Sequence, residues 1–250
     1  MKIAIFGDSF AVNEVKNGRI KAEKRIKNGF SYTNELEKKY DIENFAQSGT
    51  GLYWSYDKYL KFAKNFDKII FIASHNNRIT LKHNSKNYIP LNWSPSLASP
   101  RIKALSKHFY NTNDVPYSFD KANKHITWFY RYIFDQDQAN QISKLIVQDL
   151  EKDPQTLVIP AFQCSYKIKD EVFIKNYHCS TSFAEILEKL EDPYYKVDFS
   201  KGYDLKFCHF SDENNKILFE KIKKWIETNQ FTLDVDDFVE PSDNAKKYLP

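Results

Sequence analysis

Close to its N-terminus the chain reads Ile3-Ala4-Ile5-Phe6 and then Gly7, and this short run constrains the fold more than any other feature. A strand with apolar residues at consecutive rather than alternate positions is buried on both faces. That is the mark of a parallel sheet covered by helices. Gly7 allows a sharp turn at the strand's C-terminal edge, the edge at which open α/β sheets bind ligands. Ser9 stands in that turn. A serine hydroxyl is a weak nucleophile until a base takes its proton, so the remaining chain must be searched for that base.

The pattern recurs. Ile69-Ile70-Phe71-Ile72 and Leu157-Val158-Ile159 are buried-strand runs of the same kind, and a weaker strand is expected over 41–46 with Ile42 and Phe45 as anchors. Between them the sequence predicts helices over 30–39 and 52–65, a Gly-rich turn over 47–51, and a helix over 124–151. That last helix carries the apolar stripe Ile142, Leu145, Ile146 and Leu150. Further helices are expected over 182–190 and, behind a Ser211 cap, over 212–227 with Ile217, Ile222 and Trp225 inward. Residues 195–199 read as a last short strand. Residues 79–122 keep no regular period and hold Pro90, Pro95, Pro100 and Pro116, so they read as an insertion with a helix near 99–109. This segment is expected to form a lid over the sheet edge, or else a surface excursion filling a secondary core. Strand and helix alternate throughout, which predicts a three-layer α/β/α domain over 1–233 with a mostly parallel sheet of about five strands. A loosely held tail follows over 234–250.

Composition removes several classes of function. The 37 basic and 33 acidic residues are dispersed and leave a net charge of +4, without the basic block or stripe of a nucleic-acid binder. No cationic stretch leads into an apolar one at the N-terminus, and no apolar run reaches the ~20 residues that span a bilayer. Cys164, Cys179 and Cys208 are odd in number and lack C-x-x-C spacing, which argues against a disulfide framework and a zinc site and for a reducing, cytoplasmic setting. His83, His108, His125 and His178 show no paired ligand spacing, so no metal and no cofactor are expected.

Four clusters should meet along the C-terminal edge of such a sheet. They are Gly7-Asp8-Ser9-Phe10, the Gly49 turn in Ala46-Gln47-Ser48-Gly49-Thr50-Gly51, Asn76 in Ser74-His75-Asn76-Asn77, and the late His209. In that order they resemble the four blocks of the SGNH (GDSL-type) hydrolase superfamily. The resemblance covers residues 1 to about 78 and 204–225. It implies a flavodoxin-like strand order, Ser9 as nucleophile and His209 as its base. It also implies an oxyanion hole made by the backbone N–H groups of Ser9 and Gly49 and the side-chain amide of Asn76. Asp8 would orient the Ser9 turn and, with His75, border the substrate. Two of the blocks depart from the family, at three positions. Ser74 and Asn77 replace its Gly and Asp, and Lys206 stands where an Asp normally precedes the histidine by three residues. Asp204 is the nearby carboxylate before His209, with Asp212 and Glu213 just after it. Either Asp204 completes a triad, or a backbone carbonyl holds the imidazole in a Ser–His dyad. Each residue also has a plainer reading: Ser9 as a helix cap, Gly49 and Asn76 as turn residues, His209 as a core histidine and Cys208 as a buried thiol.

The activity expected from the resemblance is ester hydrolysis through an acyl-enzyme, of the carboxylesterase or acetylesterase type. A small acyl group on a carbohydrate is the favoured substrate, because the presumed lid is rich in Trp and Tyr. Two alternatives stay open. One is a non-catalytic module of the same fold that binds a glycan or partner, and the other is an acyltransferase using the same residues.

Overall fold

Four parallel strands form the central sheet: β1 (Lys2–Phe6), β2 (Asp41–Asn44), β3 (Lys68–Ala73) and β4 (Thr156–Pro160), in the order β2-β1-β3-β4. The computed structural model describes residues 1–12, 30–47, 50–76, 80–83, 87–90, 133–168, 171–175, 178–191 and 210–240. The register sets Ile3 beside Ile42 on one side and Lys68 on the other, Phe6 beside Phe71, and Phe71 beside Val158. Every residue of β4 is buried, as are the last four of β1 and the last five of β3. The consecutive apolar positions follow from this, since each face of these strands has a helix layer to bury against. β2 alternates exposed and half-buried residues, as suits an edge strand.

The chain moves from β1 outward to β2 and then back across β1 to β3 and β4. Right-handed crossovers therefore put the first connecting helix on one face and the next two on the other. Helix α1 (Tyr32–Lys39) packs with the last long helix, α5 (Asp212–Thr228). On the opposite face α2 (Leu52–Phe62) packs with α3 (Gln136–Leu150). Tyr56 of α2 donates to the Asp149 carboxylate of α3 at 2.5 Å, joining the second pair. Aromatic rings fill the space beneath β1 and β2: Phe6 stacks on Phe45 at 5.0 Å, and Phe45 on Phe62 at 4.9 Å. Ser182 caps the short helix α4 (Phe183–Ile186) reciprocally with Glu185, and a wider-wound turn, Leu187–Glu191, extends it.

The layering and the strand order 2-1-3-4 match the sequence reading. The fifth strand expected over 195–199 and the helix over 99–109 lie outside the described residues. Four details differ. Helix α3 starts at Gln136, because Asp135 accepts from the backbone N–H groups of Asp137 and Gln138 and so ends the extended chain there. Its buried line is Ser143, Ile146, Val147 and Leu150, leaving Ile142 and Leu145 45% and 65% exposed. Within the segment read as irregular, Thr80–His83 and Asn87–Pro90 pair as antiparallel strands. The tail does not begin at 234. Val239 exchanges two hydrogen bonds with the Asn214 side chain, and Phe238 is buried on Phe210, so the packed chain continues to Glu240. Among the described residues no helix is long and apolar enough to cross a membrane.

Two outcomes are expected. Gly7 has φ +156°, and a Cβ there would sit 2.8 Å from the Ile72 Cβ and 2.9 Å from the Ala11 Cβ. Gly7→Ala should therefore lower unfolding free energy by about 2–4 kcal/mol in urea titrations, from backbone strain and overpacking together. The second concerns Tyr56 and Asp149. Burial and the Asp149 carboxylate push the Tyr56 phenol up to about 12, while the Tyr56 and Lys152 hydrogen bonds hold Asp149 below the usual carboxylate range. A depressed carboxylate stabilises the fold above its unfolded-state value and loses that contribution as pH falls through the folded one. Tyr56→Phe should cost about 1 kcal/mol at neutral pH. Its stability curve should converge on that of the parent as the pH is taken below about 4.

Candidate functional site

All four strands end on one edge, and the loops that leave them are Gly7–Asp8–Ser9, Phe45–Ala46–Gln47, Ser74–His75–Asn76 and Ala161–Phe162. The chain reverses its direction of travel across the sheet at β1, so the crevice between the β1 and β3 loops is a topological switch point. Ser9 and Asn76 stand on its two sides.

The β1 loop is a tight turn closed by the Ala11 N–H on the Asp8 carbonyl at 3.0 Å, with Ser9 half-buried inside it. Asp8 is fully buried. Its Oδ1 accepts from the Phe10 N–H at 3.1 Å, and its Oδ2 accepts from the Ser74 hydroxyl at 2.7 Å. Asp8 thus orients the turn from behind, as expected of it, and its carboxylate joins the β1 loop to the β3 loop. Ser74 Oγ also lies 2.9 Å from the Thr50 carbonyl. Thr50 in turn donates to the carbonyl of Gln47 at 2.8 Å and lies 3.3 Å from that of Gly7. Gly49 itself lies outside the described residues, but Gln47 and Thr50 on either side of it are both tied to Gly7.

His75 is half-buried, with its ring edge-on to Phe162 at 5.1 Å. Asn76 donates from Nδ2 to Asn140 Oδ1 of α3 at 2.8 Å, and the same oxygen accepts from Gln136 Nε2 at 2.9 Å. The Asn76 Oδ1 is buried and has no hydrogen-bond partner among the described residues.

His209 and Asp204 lie outside the described residues, as does Lys206. The next residue, Phe210, is buried among Phe10, Phe183 and Phe238, with ring centroids 6.1, 5.1 and 6.0 Å away. Two fully buried polar side chains hold it there. Asn215 donates to the Phe210 carbonyl at 3.0 Å and accepts from the Tyr32 N–H at 3.3 Å, while the Tyr32 hydroxyl donates to the Phe10 carbonyl at 2.5 Å. Ser211 caps α5 as expected, accepting from the Asn214 N–H at 3.3 Å. Asp212 accepts from the Phe30 N–H at 3.0 Å, and its carboxyl is pushed up chiefly by burial. The Cys179 thiol is buried and pushed up to about 12, chiefly by desolvation. Among the described residues no group of three His, Cys, Asp or Glu side chains is placed to hold a metal ion.

The structure therefore brings Asp8, Ser9, Ser74, His75 and Asn76 to one edge. Sequence reasoning missed Tyr32, Asn215, Gln136 and Asn140. For Asn215 a signal existed: it lies on the same helical line as Leu218, Ile222 and Trp225, and a polar residue on a buried stripe needs a partner. Comparisons with family models, curated proteins and solved structures find no match to the chain.

The Asp8–Ser74 link yields a direct test. Ser74→Ala removes one donor from a buried carboxylate, and stability measured by urea denaturation should fall by about 1–3 kcal/mol.

Proposed function

We propose that the protein is a serine ester hydrolase in which Ser9 is the nucleophile and His209 its general base. One observation carries the reading. Phe10 and Phe210, the residues that follow Ser9 and His209 in the sequence, pack together in the core with ring centroids 6.1 Å apart. This contact joins the Ser9 turn to the residue that follows His209 in the sequence. The order of the four motifs along the chain and the switch-point position of Ser9 and Asn76 support the same reading.

The chemistry needs no cofactor. Ser9 Oγ forms a bond to the acyl carbon as its proton passes to the imidazole of His209. The oxyanion so formed takes hydrogen bonds from the N–H groups of Ser9 and Gly49 and from the Asn76 amide. The carbon–oxygen bond to the alcohol then breaks, and the departing oxygen receives the proton from the imidazolium. Water repeats the sequence on the acyl-enzyme, releasing the acid and restoring the Ser9 hydroxyl. With Lys206 in place of the usual aspartate, Asp204 or a backbone carbonyl orients the ring. The aromatic content of residues 79–122 favours a small acyl group carried on a carbohydrate. Three cysteines without C-x-x-C spacing fit a reducing, cytoplasmic setting.

The test is covalent labelling with a fluorophosphonate probe together with hydrolysis of p-nitrophenyl acetate. The wild-type chain should label and turn over, Ser9→Ala should do neither, and His209→Ala should lose on the order of 10³-fold or more in kcat. A folded wild-type chain that takes no label removes the enzyme reading in favour of a binding module. Asp204→Asn should lower kcat steeply if that carboxylate holds the imidazole and leave it unchanged in a dyad.

A further inference from the structure

We propose that Gln136 and Asn140 of α3 form a polarity relay that decides which atom of the Asn76 amide is offered to a bound acyl group. This role rests on the ester-hydrolase reading above. A primary amide has nearly the same shape either way round, and a half turn about its last torsion exchanges oxygen for nitrogen. Hydrogen bonds alone decide between the two. The Asn76 Oδ1 is buried with no partner among the described residues. The hydrogen bond seen at the other end of the amide runs from Nδ2 to Asn140 Oδ1 at 2.8 Å. It uses one of the two N–H bonds on that nitrogen and leaves the second to meet an oxyanion.

Asn140 faces the same ambiguity, and in the arrangement seen Gln136 donates to it. The Gln136 Nε2 donates to Asn140 Oδ1 at 2.9 Å, so this oxygen accepts from both neighbours and uses both of its lone pairs. Were Asn140 to turn over, its NH2 would face two donors. Gln136 and Asn140 are four apart and share a helix face. Asp135 fixes the first turn on which they stand by accepting from Asp137 and Gln138 at 2.8 and 3.0 Å. With the relay reversed, an oxyanion would approach a carbonyl oxygen and be repelled. Asn140 and Gln136 are positioning residues, acting through Asn76.

The experiment is steady-state hydrolysis of p-nitrophenyl acetate by Gln136→Glu, Asn140→Ala and Asn140→Asp, each with its melting temperature. In Gln136→Glu the new carboxylate only accepts, so Asn140 turns its NH2 toward it and the relay reverses. The exposed position at the start of a helix tolerates an acidic residue. Gln136→Glu and Asn140→Ala should lower kcat by about tenfold or more, toward the ~10²–10³ of a lost oxyanion donor, with KM and melting temperature unchanged. Asn140→Asp keeps the acceptor and should keep kcat. In an Asn76→Ala background Gln136→Glu should have no further effect. Unchanged kcat in Gln136→Glu and Asn140→Ala, in a protein whose turnover Ser9→Ala abolishes, overturns the relay alone. A wild type with no Ser9-dependent turnover overturns the ester-hydrolase reading, and the relay with it.

Discussion

A single carboxylate, that of Asp8, organises the sheet edge. It is fully buried, and a carboxylate without hydrogen bonds in such a place costs several kcal/mol. The Phe10 N–H and the Ser74 hydroxyl satisfy it, and each belongs to a different loop. The β1 turn therefore cannot close without the β3 loop beside it. Thr50 and Gln47 then bind the return from β2 to Gly7, while Asn44 donates to the Ala11 carbonyl at 2.9 Å. Three loops become one unit, and Ser9 is held on its rim. The glycine ahead of Asp8 is part of the same constraint, because its positive φ and the closeness of Ile72 leave no room for a side chain.

A second buried network closes the distance between chain ends. Phe10 and Phe210 are 200 positions apart in the sequence, and they meet because Tyr32 and Asn215 bond to their carbonyls and to each other. Such polar groups in a core specify one arrangement, since any slippage would strand a donor or an acceptor. The aromatic rings of Phe183 and Phe238 pack around this junction and supply the apolar area that drives it. α1 and α5 are thereby held on one face of the sheet, so the start of the last helix is referred back to the first turn of the chain.

Much of this was legible beforehand. The runs at Ile3, Ile69 and Leu157 each proved to be buried strand, because consecutive apolar residues suit a parallel sheet covered on both faces. The Ser211 cap was equally readable, since capping depends on local geometry. The stripe on α3 was not. Ile142 and Leu145 have the spacing of a buried face, but the face turned inward is set by where α2 lies, and it runs through Ser143 and Val147 instead. The acidic composition after Asp234 hid a packed segment in the same way, because its anchors, Asn214 and Phe210, are contributed from elsewhere in the chain.

The candidate site divides along the same line. From the order of residues alone came the class of fold, the sharp turn at Gly7, and the placing of Ser9, His75 and Asn76 at strand ends. All of these depend on local apolar patterning and on the rule that parallel strands end together. Only the folded chain decided that Asp8 would face Ser74, that Asn76 would lean on Asn140 of α3, and that Phe210 would return to Phe10. Those pairings join residues 64 to 200 positions apart. Contacts over such separations exist only once helices have been laid on both faces of a sheet, and no local preference encodes them.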